Sequence, residues 1–415
     1  MQDQDLSRRQ LMRWLAASPL MSTLGANAEI GSLNRQVLKR PDPMVWAPNT
    51  PLDLISDPTQ AINVFDFEPV AFSKVPTAHF AYMASGIDDE VTLRANRSAF
   101  LNYALRPRRL RDVSKIDMSV SLFGTRWNTP IIIAPTGGNR AYHPEGEIAV
   151  AKAARAGGHL NVLSSAAGST IEDVIAARQG EVWFQLYATS SFEVSKQIAK
   201  RLDRAGVPVM EITVDRNGGR NQETFARLKR LDSRDCASCH THGFGSRHER
   251  PIYDGIDFTD VKSMSSSNMT WDFIRRMRDV TRMKLIIKGI QTEEDAELCL
   301  KYGVDGIHVS NHGGRSEDGG RGAIDCLPEV ARVAKGKVPI LFDSGIRRGS
   351  DIFKALALGA TAVCVGRPYL WGLGAFGQPG VEKVMSLLRT ELMGTMQQMG
   401  TPNLAAIEPA MVTKI

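Results

Sequence analysis

The run Ser310-Asn311-His312-Gly313-Gly314-Arg315 sets an imidazole and a guanidinium close together with only glycine between them. A histidine titrates near neutral pH, so His312 is a candidate general base. Arg315 offers a planar fork matched to a carboxylate, and the glycines let the backbone approach a flat ring. This is the equipment for taking a proton from a small anionic substrate. Two further loops, Asp343-Ser344-Gly345-Ile346-Arg347-Arg348-Gly349 and Gly366-Arg367-Pro368, each combine glycine with arginine, which suits a phosphate. A phosphate-bearing cofactor follows. No strand–GxGxxG–helix unit with a trailing acidic residue is evident near the start, so a Rossmann dinucleotide site is not supported.

Such residues need elements that bring them to one place. From Pro130 onward, eight short β-branched runs recur: Ile131–Thr136, Asn161–Ser165, Val182–Tyr187, Val209–Asp215, Lys284–Ile290, Gly306–His312, Pro339–Gly345 and Ala362–Pro368. Amphipathic stretches such as Glu145–Ala156, Ser191–Ala205, Glu293–Tyr302 and Asp351–Leu358 lie between them, and Val381–Met399 supplies a last helix. This alternation predicts a parallel α/β sheet, and the count of eight predicts closure into a (β/α)8 TIM barrel. The polar residues fall at corresponding places, the C-terminal ends of the runs: Thr136, Ser164 and Ser165, Gln185 and Tyr187, Thr213 and Asp215, Lys288, Ser310 and His312, Asp343 and Gly345, Gly366 and Arg367. In a barrel that ring is the active-site face. Thr136 and Ser165 serve equally well as helix caps or partners for buried backbone groups. Residues 216–283, after the fourth run, are far longer than an ordinary βα connection, which predicts a lid or docking element on the same face.

The 415 residues carry 43% hydrophobic and 23% charged side chains, the composition of an ordinary globular protein. A net charge of +6 without a Lys/Arg stripe interleaved with aromatics argues against a nucleic-acid partner. At the start, Ser7-Arg8-Arg9-Gln10-Leu11-Met12, an apolar run from Trp14 to Leu24 and Ala26-Asn27-Ala28 read as a twin-arginine signal peptide over 1–28. The expected location is then the periplasm; read instead as a basic amphipathic helix, the segment is compatible with a cytoplasmic protein. Residues 29–75 form an N-terminal extension, irregular and Pro-rich from about Asn34 to Lys74, and 76–415 the barrel with its 216–283 insertion.

Taken together, Tyr82-Met83-Ala84-Ser85-Gly86, Ala134-Pro135-Thr136, His143-Pro144-Glu145-Gly146-Glu147, Phe184-Gln185-Leu186-Tyr187, Thr213-Val214-Asp215, Lys288-Gly289, the Ser310–Arg315 run and the two phosphate loops resemble the FMN-dependent 2-hydroxy acid oxidase/dehydrogenase family. The resemblance implies that His312 takes the substrate proton and Asp215 stabilises the imidazolium. It implies that Arg315 and Arg220 clamp the carboxylate with the Tyr82 hydroxyl, and that Tyr187 touches the substrate oxygen. Lys288 would stabilise negative charge on the reduced flavin. Ala134, Thr136, Ser164, Gln185, Thr213 and Ser310 would line the isoalloxazine and ribityl chain, while Asp343, Gly345, Arg347, Gly366 and Arg367 would hold ribityl and phosphate. The implied activity is oxidation of a small L-2-hydroxy acid, L-lactate favoured, with a cytochrome as acceptor; the alternative is an oxidase that releases hydrogen peroxide. A homotetramer is implied as well. Departures from the family pattern are Asp215-Arg216-Asn217-Gly218-Gly219-Arg220, two residues shorter before the arginine, Ala166 in place of a large aromatic, and Gly137, which leans toward a dehydrogenase.

Of the five cysteines, Cys299, Cys326 and Cys364 lie in helical or strand patterns and read as core. Cys236-Ala237-Ser238-Cys239-His240 is the c-type haem attachment pattern. A haem there would accept electrons from the reduced flavin. A Cys236–Cys239 disulfide or a zinc site recruiting His240, His242 or His248 is the alternative.

Overall fold

The computed structural model describes residues 54–216, 218–233 and 250–415. The leader over 1–28 and the Cys236–His240 motif lie outside the described residues.

Eight parallel strands form the barrel: β1 (Ile131–Ile133), β2 (Val162–Ser164), β3 (Trp183–Leu186), β4 (Val209–Thr213), β5 (Lys284–Ile290), β6 (Gly306–Val309), β7 (Ile340–Phe342) and β8 (Ala362–Val365). Each falls within one of the eight runs read from the sequence. The sheet runs β1-β8-β7-β6-β5-β4-β3-β2. It closes through the parallel bridge between Ile133 and Asn161, where the Ile133 N–H donates to the Leu160 carbonyl at 2.9 Å. Strands covered on both faces have no solvent side, which is why they read as mostly apolar runs rather than alternating ones. The chain is a (β/α)8 TIM barrel.

Between successive strands lie α1 (Gly146–Gly157), α2 (Ile171–Arg178), α3 (Phe192–Arg204), α4 (Trp271–Arg278), α5 (Glu293–Lys301), α6 (Ala323–Ala334) and α7 (Gly349–Ala357). After β8 come α8 (Arg367–Phe376) and α9 (Gln378–Met399). The hairpin Val120–Leu122/Thr125–Trp127 turns on Phe123 and Gly124 at φ 49° and 92°, the left-handed pair that a tight two-residue hairpin loop demands. It packs Leu122 and Trp127 against Ile132, Val162, Trp183 and Leu341 inside the barrel. Cys299, Cys326 and Cys364 are buried and free, as their patterns suggested.

One stretch differs from the sequence reading. The segment read as irregular up to Lys74 contains a helix, Phe67–Lys74, whose Phe67, Val70 and Ala71 are buried and which packs on α8. Its apolar residues do not repeat with a clear helical stripe, so its helicity rests on packing rather than on local pattern. A following helix, Thr77–Ala84, carries Tyr82 to the mouth of the barrel. The insertion contributes a short helix, Glu223–Lys229, which packs against Thr77–Ala84; the Tyr82 and Phe225 rings meet edge to face at 5.6 Å.

Candidate active site

The strand ends line a cavity that is open on one side. Of the residues picked from the sequence, Tyr82, Ala134, Thr136, Tyr187, Lys288, His312, Arg315, Asp343, Gly345, Arg347, Gly366 and Arg367 line it. Asp215 and Ser310 bond to lining residues from behind, and Ser164, Gln185 and Thr213 are not part of the lining.

His312 sits at φ 60°, an uncommon left-handed conformation for a side chain of its size, at the head of a run continued by Gly313 and Gly314. Its N–H donates to Ser310 Oγ at 3.0 Å. The ring Nδ1 lies 2.9 Å from Asp215 Oδ1 and Nε2 lies 3.0 Å from the Tyr187 hydroxyl. With Nδ1–H directed at Asp215, Nε2 is the unprotonated nitrogen and accepts from the Tyr187 hydroxyl, the tautomer a base requires. Burial pushes the imidazole down to about 4, against the pull of Asp215, so it is neutral at pH 7. Asp215 is held below the usual carboxylate range: burial opposes this, but His312 and Lys288 outweigh it. Its Oδ2 has no hydrogen-bond partner among the described residues. Gly289, at φ 111° in a bulge of β5, leaves room for Asp215, because a Cβ there would come within 2.7 Å of the Asp215 Cβ.

Lys288 donates to Ser310 Oγ and to Asp343 Oδ2, each at 2.6 Å, and Ser310 donates to Asp343 Oδ1 at 2.6 Å. Burial disfavours the ammonium, yet Asp343 and Asp215 hold it firmly charged. A row of hydrogen bonds, Ser164 Oγ to Gln185 Oε1 at 2.7 Å and Gln185 Nε2 to Thr213 Oγ1 at 2.8 Å, braces the adjoining wall. Ser165 Oγ accepts from the Tyr187 N–H at 2.9 Å, the backbone role foreseen for it. Thr136 bonds Asn139 Oδ1 at 3.1 Å and the Tyr369 hydroxyl.

The cation end holds the main surprise. Arg216, not singled out from the sequence, lines the cavity with its guanidinium 5.1 Å from the Tyr187 ring centroid. Arg220 does not line it; its Nη1 donates to the Arg315 carbonyl at 3.3 Å. Burial favours a neutral Tyr82, but Arg315, Arg216 and Arg220 together bring its hydroxyl down to about 7. A site that drives a phenol that far is short of an anion, and a substrate carboxylate supplies one. The available sequence signal was Arg216 directly after the acid that orients the base; a spacing argument passes over it. Asn96 was also missed: its side chain exchanges two hydrogen bonds with Asn311, at 2.8 and 2.7 Å, and so braces the His312 turn.

The opposite end suits a phosphate. Burial, with Arg315 and Arg347 nearby, pulls Arg367 down to about 9. At the carboxylate end, Arg315 Nη2 is buried and lacks a hydrogen-bond partner among the described residues. A Cβ on Gly366 would meet only Thr136 Cγ2, at 3.9 Å, so the wall there stays open. Crowded, desolvated guanidiniums beside a bare glycine wall fit a flat cofactor with an anionic tail.

The fold and site define a class: a (β/α)8 barrel with a histidine–aspartate pair and several arginines around one cavity at its strand ends. A family model described as FMN-dependent dehydrogenase matches residues 71–414, and the chain belongs to that family. It is 38% identical over 355 residues to glycolate oxidase 3 of Oryza sativa subsp. indica, covering 83% of this chain and 94% of the relative. Over 353 residues it is 38% identical to a peroxisomal (S)-2-hydroxyacid oxidase of Arabidopsis thaliana, with coverage of 83% and 94%. Among solved structures it is similar to a (S)-mandelate dehydrogenase from Pseudomonas putida, at TM-score 0.78 and 33% identity over 86% of this chain and all of that one. A flavocytochrome b2 variant with pyruvate bound follows, at TM-score 0.77 and 30% identity over 86% and 87%. The chain is an FMN-dependent 2-hydroxy acid oxidoreductase acting on CH–OH.

Proposed function

We propose that the chain oxidises a short L-2-hydroxy acid, L-lactate first among them, to the 2-oxo acid and passes the electrons to oxygen, giving one hydrogen peroxide per turnover. The observation that carries it is the His312–Asp215 pair facing one cavity with Arg315, Arg216, Tyr82 and Tyr187. Arg315 and Arg216 orient the carboxylate and Tyr187 the 2-oxygen, while Nε2 of His312 takes the hydroxyl proton. Asp215 then faces an imidazolium rather than an imidazole, which stabilises the protonated base. Bound FMN supplies the two-electron acceptor. Lys288, kept cationic by Asp343, offsets the charge that arrives there.

The relatives named as oxidases favour oxygen over the cytochrome expected from sequence. Gly137, read earlier as a dehydrogenase feature, has a packing reason of its own: a Cβ there would come within 2.5 Å of the Ala166 Cβ. A second reading keeps a cytochrome, or a covalent haem at Cys236, Cys239 and His240, as acceptor in the periplasm; it rests on that motif and the twin-arginine leader. Under either reading, four copies would assemble as a tetramer, as the family resemblance implies. The test is to mix purified protein with L-lactate in air and under nitrogen. Stoichiometric peroxide and pyruvate support the oxidase. Rapid anaerobic bleaching, slow recovery in air and a Soret band that survives acid–acetone extraction would transfer the case to the haem reading.

The two arginines should separate in kinetics. Arg216→Ala is expected to cut kcat/KM by about 10–100-fold, the worth of a charge-assisted hydrogen bond, mostly through KM. Arg220→Ala, outside the cavity wall, should cost less. The reverse ranking would return the carboxylate contact to Arg220.

A further inference from the structure

Below the cavity lie two buried polar side chains that the mechanism leaves unused. Glu211 in the middle of β4 and His308 in the middle of β6 are both fully buried. His308 Nδ1 lies 3.3 Å from Glu211 Oε2, and its Nε2 lies 3.3 Å from Asp343 Oδ2. That same Asp343 oxygen receives the Lys288 ammonium at 2.6 Å. The four side chains form a row, Glu211, His308, Asp343 and Lys288, running from the barrel interior to the cavity wall. Cys364 on β8 stands beside His308 and borders the cavity.

A buried carboxylate–imidazole pair is a poor way to fill space. Apolar side chains of similar volume stabilise a core as well or better, because they carry no desolvation cost. What the pair adds is charge with a direction. Burial works against a charged imidazole, yet the flanking carboxylates of Glu211 and Asp343 raise its affinity for a proton above that of an ordinary histidine. The positive end of the Glu211–His308 dipole therefore abuts Asp343, and through it Lys288.

We propose that His308 is a positioning residue that, seated between Glu211 and Asp343, fixes the Asp343–Lys288 pair and raises the reduction potential of the bound flavin. The inference rests on the assignment of this cavity to FMN. A reduced flavin carries more negative charge than an oxidised one, so a positive dipole end directed at its lysine partner favours reduction.

The test measures the potential of bound FMN by dye equilibration in the wild-type holoenzyme, in His308→Gln and in the double variant Glu211→Leu/His308→Leu. The double variant refills the barrel without stranding Glu211, so it reports even if the single one does not fold. Both flavin-loaded variants are expected to be harder to reduce by at least about tenfold in the reduced-to-oxidised ratio, about 30 mV for a two-electron couple. An unchanged potential in either overturns the proposal, as does a folded double variant that no longer holds FMN. A wild-type chain without flavin bands would overturn the cavity assignment and this inference with it.

Discussion

His312→Gln is expected to leave FMN bound and to slow substrate-driven bleaching of the flavin by about 10⁴-fold, the upper range for loss of a general base. The side chain touches no part of the phosphate end, so the cofactor site stays intact. Glutamine keeps much of the volume but offers no nitrogen that can take a proton. Asp215 Oδ1, now 2.9 Å from an imidazole nitrogen, would face an amide at best. The same geometry sets a pH dependence. Because burial holds His312 at about 4, kcat/KM should stay level from neutral into mild acid and fall as pH drops through about 4, where protonation removes the base. The sign for stability agrees. The unfolded histidine, near 6.5, binds its proton at higher pH than the folded one, so this group's contribution is intact above about 6.5 and is lost as pH falls toward about 4. Unchanged bleaching by the glutamine variant, measured by stopped flow under nitrogen, would remove His312 from the mechanism.

Lys288→Met is expected to destabilise the protein by about 3–5 kcal/mol, the usual cost of stranding one member of a buried ion pair, and to weaken FMN binding. Asp343 is held far below the usual carboxylate range; burial works against this, and Lys288 and His308 are what overcome it. Without the ammonium, Asp343 keeps Ser310, Ser344 and the longer contact to His308. These do not replace a cation at 2.6 Å. Urea melts of the apoprotein isolate the stability loss, and flavin fluorescence titration measures the binding loss. Lys288→Met/Asp343→Leu should recover part of the stability, because it removes both charges, but not flavin binding. A single variant as stable as the parent would mean that the pair is not coupled as its geometry requires.

Much of this molecule was legible in the chain itself. The eight strands stand out because a strand buried on both faces must be mostly apolar, a local rule that needs no knowledge of neighbours. The ring of site residues stands out for a related reason: polar side chains at the ends of apolar runs, such as His312, Lys288 and Asp343, are costly to bury without a task. Other features depend on where distant segments meet. The helix Phe67–Lys74 has no stripe of its own and becomes helical against α8. Of two arginines in one short loop, Arg216 reaches the cavity and Arg220 stops at the Arg315 carbonyl. Spacing along the chain cannot decide this, because it depends on how the loop after β4 leaves the barrel and meets the Thr77–Ala84 helix. Glu211 and His308 were visible as charges in apolar strands, but strands β4 and β6 are not neighbours in the sheet. Only closure of the barrel brings the two side chains to 3.3 Å across its interior. The periodic pattern along the chain therefore determined the barrel and which residues ring its mouth, while the partners within that ring, and the charges beneath it, came from contacts that form only once the sheet has closed.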